Sequence, residues 1–228
     1  AGEAFAPEDP PGPRALHVIV LDPGHGGTDA GVTVSDTREK DLTLALGLKL
    51  RTALLHALPG VKVVLTRETD EDVPMDRRAE IANHARADLV LSLHFDGFVD
   101  PRSRGASAWW PPATFAEPRP ARRPSGRPVA TPSLVTLLPW RDVAARHGVQ
   151  SRELAEAVLS ALELSGQGPT RPHERMPLEL LGVNAPGILL ECATLTAPAD
   201  LERVTQDAGL SALADAITQG VVAYQRNE

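Results

Sequence analysis

The sequence predicts an α/β fold: a single domain with a mostly parallel or mixed twisted sheet flanked by helices on both faces. Strand-like apolar runs alternate with helix-like amphipathic runs along the chain, which is the pattern of α/β proteins. The strand-like runs are nearly continuous in apolar residues, as expected for strands covered on both faces. With 228 residues, of which 42% are hydrophobic, the chain is long enough to build one complete core.

Three strands and two helices are predicted in the first half of the chain. Residues 16–21 are almost entirely apolar and predict the first strand. Residues 39–57 have apolar positions at helical spacing, and Glu39 and Asp41 stand in the first turn, where the helix dipole favours acids. The next elements are a strand, a helix and a strand, over residues 61–66, 75–86 and 88–93.

The second half begins with a segment of different composition. Residues 101–139 are rich in proline and arginine, so we expect a surface insertion with little regular structure. Ser151 is expected to be the N-cap of a helix that runs to about Leu164. The last predicted strand and helix cover residues 187–190 and 209–225.

Composition limits the classes of protein that this chain can belong to. The net charge of −7 argues against a nucleic-acid partner. No apolar stretch approaches the roughly 18–20 residues that a membrane span requires. The single cysteine, Cys192, excludes an intrachain disulfide. Residues 1–14 do not resemble a signal peptide and are expected to form an extended leader before a domain over residues 15–228.

Potential metal ligands and acids follow three of the predicted strands. His25 lies just beyond the first strand, while His94 and Glu191 directly follow the third and fourth. Ligands in open α/β sheets bind outside the carboxyl ends of the strands, so these side chains are expected to meet in one crevice. Glu39, at the start of the first helix, lies at the same edge of the sheet. Two imidazoles and a carboxylate suit a zinc site with an open position, and a second carboxylate suits a general base. The set therefore predicts metal-assisted amide hydrolysis.

These residues belong to an ordered set of motifs that resembles the zinc-dependent N-acetylmuramoyl-L-alanine amidases with a DPGHGG signature. The resemblance covers about residues 16–99 and 150–225. Its motifs are Val18–Leu21 followed by DPGHGG and Thr28–Gly31, then Glu39-Lys40, Leu65–Arg67 with Asp70, Arg78 with Ala82-Asn83, Ala87–His94, Ser151–Ala155 and Pro186–Glu191. The sequence departs from the family pattern at Phe95-Asp96 and at residues 192–196.

The resemblance implies a reaction, a cofactor and a location. It implies that His25, Glu39 and His94 bind one zinc ion and that Glu191 is the catalytic base. The enzyme would cleave the amide between N-acetylmuramic acid and L-alanine of the peptidoglycan stem peptide, using a zinc-activated water. It would act outside the cytoplasm, in the periplasm or secreted, after removal of a signal peptide that is not in this chain. We expect a monomer, and an activator protein is one possible partner.

Several alternatives stay open. Asp96 and His173 are candidates for substrate binding, and Trp109 and Trp110 for stacking on sugar rings or for plugging the core. A non-catalytic peptidoglycan-binding protein of the same fold is the alternative function. An autoinhibited enzyme, in which part of residues 101–139 covers the zinc until a partner moves it, is a further alternative. The arginine cluster at residues 119–127 could instead bind anionic groups of peptidoglycan. Arg67 and Arg78 are expected to form structural ion pairs.

Overall fold

The structure is a computed structural model that describes residues 13–98, 103–113 and 140–227. Its strands are β1 (Val18–Pro23), β2 (Thr33–Val34), β3 (Thr37–Arg38), β4 (Lys62–Leu65), β5 (Leu89–Asp96), β6 (Ala106–Trp110), β7 (Thr170–Glu174) and β8 (Gly187–Thr194). Its helices are α1 (Glu39–Ala57), α2 (Met75–Ala85), α3 (Trp140–Ala145), α4 (Gly148–Leu164), α5 (Pro198–Val204) and α6 (Asp207–Arg226), with a 3₁₀ helix at Leu178–Leu180.

The main sheet has six strands in the order β4-β1-β5-β8-β6-β7. The first four of these run parallel, β6 pairs antiparallel with β8, and β7 runs parallel to β6. Strands β2 and β3 form a separate small hairpin before α1. The prediction of a mixed, mostly parallel sheet is therefore confirmed, and so is the expectation that the strands before His25, His94 and Glu191 are parallel neighbours.

The two faces of the sheet pack against different helices. On one face, residues such as Leu21, Leu91 and Leu190 join a large core with α1, α4 and α6. On the other face, Val20 and Val90 pack in a smaller cluster with α2 and the 3₁₀ helix. Helix α2 and the 3₁₀ helix are short and cover only part of this second face. The part at the carboxyl ends of the strands is left free for polar side chains. Within the described ranges, no helix is long and apolar enough to cross a membrane.

Strand β6 corrects the prediction for the start of the insertion. The sequence predicts little regular structure over residues 101–139, but residues 106–110 form a strand between β8 and β7. Ala106, Ala108 and Trp110 face the large core, which explains why this stretch is ordered despite the prolines that follow it. Trp110 is therefore a core residue. The arginine cluster at residues 119–127 and the rest of the insertion to residue 139 lie outside the described residues, as does most of the leader.

Helix α4 begins four residues earlier than the sequence predicts. The N-cap is His147, and Ser151 lies inside the helix with no accessible surface. The hydroxyl of Ser151 accepts a hydrogen bond from the backbone N–H of Gly187 at 3.0 Å, at the start of β8. The prediction that Ser151 caps the helix is wrong because its hydroxyl pairs with a strand backbone instead of with the helix's own first turn.

Replacing Ser151 with alanine is expected to lower the free energy of unfolding by about 1–2 kcal/mol, because a buried N–H then loses its acceptor. Urea denaturation of both proteins measures this difference. Ser160→Ala is the matched control, because Ser160 is exposed on the same helix. Its effect should stay within about 0.5 kcal/mol. Equal stability of the two variants would show that the Gly187 N–H finds another acceptor.

Candidate metal centre

The loop after β1 places His25 in an unusual backbone conformation. His25 has a φ of 59°, in the left-handed region, and is followed by Gly26 and Gly27 at φ 128° and 56°. A histidine in this region is uncommon and is found where a site needs a side chain aimed in a particular direction. Gly24 also allows a close approach, because a Cβ at this position would lie 2.2 Å from the His94 ring. The glycines of DPGHGG therefore let two imidazoles come together.

Two buried arginines fix this loop from beneath. Arg78 forms an ion pair with Asp22 at 2.7 Å and donates to the carbonyl of His25 at 2.7 Å. Arg67, which is 2% exposed, donates instead to backbone carbonyls that include those of Pro23 and Gly24, both at 2.9 Å. The expected structural ion pair is confirmed for Arg78. For Arg67 no ion pair is found among the residues that the structure describes, because its guanidinium donates to backbone carbonyls and to the Thr43 hydroxyl instead.

Three side chains from distant parts of the sequence present one atom each to a common point. His25 Nε2 lies 3.0 Å from Glu39 Oε1, and His94 Nδ1 lies 3.1 Å from the same oxygen. The two nitrogens are 3.2 Å apart. His25 follows β1, His94 lies on β5 and Glu39 begins α1, so the carboxyl edge of the sheet brings them together as predicted.

The triangle of ligand atoms has the size that a metal ion requires. Ligand bonds of about 2.0–2.1 Å to a tetrahedral ion place neighbouring ligand atoms about 3.3 Å apart. The three observed separations of 3.0–3.2 Å are close to this value. A buried carboxylate that faces two imidazole nitrogens favours a positive charge at this point, which a divalent cation would supply.

Hydrogen bonds outside the triangle orient two of these side chains. Asp29 Oδ2 lies 2.8 Å from His25 Nδ1, so this nitrogen holds the proton and Nε2 is left to face the triangle. Glu39 accepts from the backbone N–H of Val32 at 2.8 Å and of Phe95 at 3.0 Å. Phe95 is itself 1% exposed and packs in the large core, so its side chain does not lie beside the ligand atoms.

The pKa shifts show that the cluster favours a cation. Burial opposes the charge of Glu39, but the hydrogen bonds from His25 and His94 outweigh it and lower its pKa to about 2. Burial likewise opposes a charged His25, but Glu39 and Asp29 outweigh it and raise its pKa to about 9. A negative Glu39 beside imidazoles whose charged form is favoured indicates that this point attracts positive charge.

Glu191 stands beside the triangle on the neighbouring strand. It pairs in register with His94, and its Oε2 is buried with no hydrogen-bond partner within the described ranges. Burial raises the pKa of Glu191 to about 8. The charge of His94 acts in the opposite direction and lowers this pKa, whereas repulsion from neighbouring acids raises it further. Glu191 and all three residues of the triangle line one cleft of about 490 Å³. A carboxyl group that can hold or release a proton near neutral pH therefore faces the same space.

The two predicted substrate-binding residues have different positions. Asp96, at the end of β5, lines the cleft with the four residues above. His173 is on β7, where its ring stacks on Trp109 at a centroid distance of 4.1 Å, so it lies two strands from Glu191. Their roles stay predictions. The sequence does not single out Asp29, which contacts His25, or Glu179, which lines the cleft. For Asp29, the spacing of four residues from His25 is a signal that could have been used.

Comparison with known proteins gives a consistent match. A family model described as N-acetylmuramoyl-L-alanine amidase matches residues 19–223. The N-acetylmuramoyl-L-alanine amidase AmiA of Escherichia coli is 42% identical over 93 residues, which is 40% of this chain and 32% of that protein. AmiC of Neisseria meningitidis is 30% identical over 221 residues, or 91% of this chain and 52% of that protein. The matched part of the chain thus spans about a third to a half of these relatives.

Solved structures match over nearly the whole chain. An N-acetylmuramoyl-L-alanine amidase from Clostridium difficile 630 superposes with a TM-score of 0.70 at 28% identity, covering 92% of this chain and 96% of that one. The CwlD amidase from Clostridioides difficile, solved in complex with the GerS lipoprotein, gives a TM-score of 0.71 at 24% identity and covers 93% and 100%. The second match supports the fold alone.

Proposed function

Because the chain belongs to the N-acetylmuramoyl-L-alanine amidase family, we propose that it is a peptidoglycan hydrolase that cleaves the amide between N-acetylmuramic acid and L-alanine of the stem peptide. The observation that supports this most directly is the convergence of His25, Glu39, His94 and Glu191 on one cleft. Such a set provides three metal ligands and one further carboxylate, as amide hydrolysis by activated water requires.

We propose zinc as the metal and His25, Glu39 and His94 as its ligands. The nitrogen and oxygen donors and their spacing of 3.0–3.2 Å fit this ion. When bound, zinc lowers the pKa of a water molecule and polarises a carbonyl group. The hydrogen bonds from Val32 and Phe95 to Glu39, and from His25 to Asp29, hold two of the ligands in place before an ion arrives.

Glu191 is proposed as the group that moves the proton. Its carboxylate accepts a proton from the attacking water and passes it to the nitrogen of the leaving L-alanine. The pKa of about 8 belongs to the protein without a cation. A positive charge at the neighbouring ligand atoms favours the ionised form, which is the form that accepts a proton.

Location and partners follow from this proposed substrate. Peptidoglycan lies outside the cytoplasmic membrane, so we propose a periplasmic or secreted protein. The CwlD structure contains a second protein, GerS. On this basis we propose that an activator protein binds this chain as well. The expected monomer stays a prediction.

The proposal is tested by digesting purified muropeptides and identifying the products by mass spectrometry. Release of intact stem peptides with a free L-alanine amine is the expected result. A dye-release assay on cell walls separates the alternatives, because a non-catalytic binding protein attaches to the wall without releasing dye. Cleavage at any other bond would overturn the assigned reaction.

Replacing Asp29 with asparagine is expected to weaken zinc binding by about 10–100-fold, because the carboxylate no longer fixes the His25 tautomer. Competition with a chromogenic chelator measures the dissociation constant. Asp36→Asn is the control, because it makes the same change in charge at a residue that is exposed on the nearby turn between β2 and β3. Equal zinc affinities for the two variants would show that Asp29 has no part in orienting His25.

A further inference from the structure

A straight row of side chains leads from the metal centre to the edge of the sheet. His94 on β5 pairs in register with Glu191 on β8. Glu191 pairs with Ser107 on β6, and Ser107 pairs with Arg171 on β7. Residues in register on neighbouring strands lie on the same face of a sheet. Arg171 therefore belongs to the face that carries the proposed active site.

The distances along this row follow from strand spacing. Neighbouring strands lie about 4.8 Å apart, so the Cα of Arg171 is about 10 Å from that of Glu191. A second row beside the first holds Leu189, Trp109 and His173, again in register. The His173 ring stacks on the Trp109 indole. The site face thus continues as a wall beyond the cleft.

Arg171 has an unsatisfied charged group on this wall. Its Nη1 donates to the carbonyl of Arg104 at 2.8 Å, and its guanidinium lies 5.4 Å from the centre of the Phe98 ring. Its Nη2 is buried and has no hydrogen-bond partner among the residues that the structure describes. Asp96 and Arg171 attract each other electrostatically, but no ion pair joins them. The Arg171 side chain as a whole is half-buried, and a cationic donor without a partner is costly, so this position favours an anionic acceptor.

The proposed substrate carries such an acceptor at a suitable distance. The second residue of a peptidoglycan stem is a glutamate joined through its side chain, which leaves its α-carboxyl either free or amidated. Two residues span about 7 Å of extended chain. That length and the reach of an arginine side chain together bridge the roughly 10 Å between the Cα atoms of Glu191 and Arg171.

We propose that Arg171 binds the free α-carboxylate of the second stem residue and so selects unamidated stem peptides. The inference rests on the proposed function, since it takes the scissile amide to lie beside Glu191. A hydrogen bond from a guanidinium to a carboxylate is assisted by both charges and is stronger than one to a neutral carboxamide. Arg171 would then be a specificity-determining residue, held in place by Arg104 and Phe98.

The test uses two synthetic muramyl peptides that differ only at this carboxyl, one free and one amidated. The wild-type protein should cleave the free form with a kcat/KM about 10–100-fold higher. Arg171→Gln should lose that factor on the free form and change little on the amidated one, mainly through KM. Arg171→Lys should fall between them. Arg152→Gln, on the exposed face of α4, removes the same charge and should keep the preference.

Binding gives a second readout that does not depend on cleavage. Calorimetry on the Glu191→Gln variant should show tighter binding of the free peptide than of the amidated one, and addition of Arg171→Gln should remove the difference. Zinc content and thermal unfolding verify that each variant is folded. Equal losses on both peptides, or no loss on either, would overturn the role of Arg171. Failure of the wild-type protein to cleave either peptide would overturn the proposed function, while the binding arm still decides the role of Arg171.

Discussion

Replacing Glu191 with glutamine is expected to reduce kcat by about 10²–10⁴-fold while the protein still binds one equivalent of zinc. The amide has nearly the size of the carboxyl group, so the packing beside His94 is retained. It cannot accept a proton from water, so the step assigned to Glu191 is lost. Steady-state hydrolysis of muropeptides gives the rate, and elemental analysis of the dialysed protein gives the zinc content.

The comparison needs an acid that is remote from the cleft. Glu80→Gln serves this purpose, because Glu80 lies on α2 with an exposed side chain paired to Arg77. Its rate should match that of the wild-type protein. A Glu191→Gln variant that retains activity within a few fold would reject Glu191 as the proton acceptor. Loss of zinc together with activity would instead make Glu191 a ligand.

Replacing His94 with glutamine is expected to abolish stoichiometric zinc binding and, with it, hydrolysis. One of the three proposed ligand atoms is lost, and the two that remain, on Glu39 and His25, are too few to hold the ion tightly. In the wild-type protein, zinc at 100 times its dissociation constant should stabilise the fold by about 2.7 kcal/mol. The variant should show no such stabilisation. Thermal unfolding with and without added zinc measures both effects.

A second histidine variant separates this effect from a general loss of stability. His84→Gln changes an exposed histidine on α2. It should bind zinc, respond to it in thermal unfolding and hydrolyse substrate as the wild-type protein does. If the His94 variant still binds one zinc ion with wild-type affinity, the triangle of ligand atoms is not the metal site.

The part of the fold near the metal centre could be predicted because local sequence determines it. Apolar runs before His25, His94 and Glu191 identify buried parallel strands, and parallel strands end at one edge of a sheet. The glycines of DPGHGG mark a turn at the same place. These features need no knowledge of distant pairing beyond the general rules for α/β sheets.

The remaining features depend on pairings that the sequence does not display. Strand β6 is short and is followed by prolines, and only its position between β8 and β7 makes it regular. Ser151 has the residue type of an N-cap, but a contact with Gly187, 36 positions away, decides its role. The position of Arg171 on the site face is known only from the register of β6 and β7. Nothing in its local sequence distinguishes it from other arginines.

The position of β7 at the outer edge of the sheet has a consequence for how such an enzyme can change. The groups proposed for bond cleavage lie on the loop after β1 and on α1, β5 and β8, whereas Arg171 and His173 lie on a strand that has one neighbour in the sheet as the structure describes it. An edge strand tolerates substitution and lengthening more readily than a central one, because fewer contacts constrain it. Substrate preference can therefore drift, or be engineered, at this margin while the hydrolytic machinery stays intact.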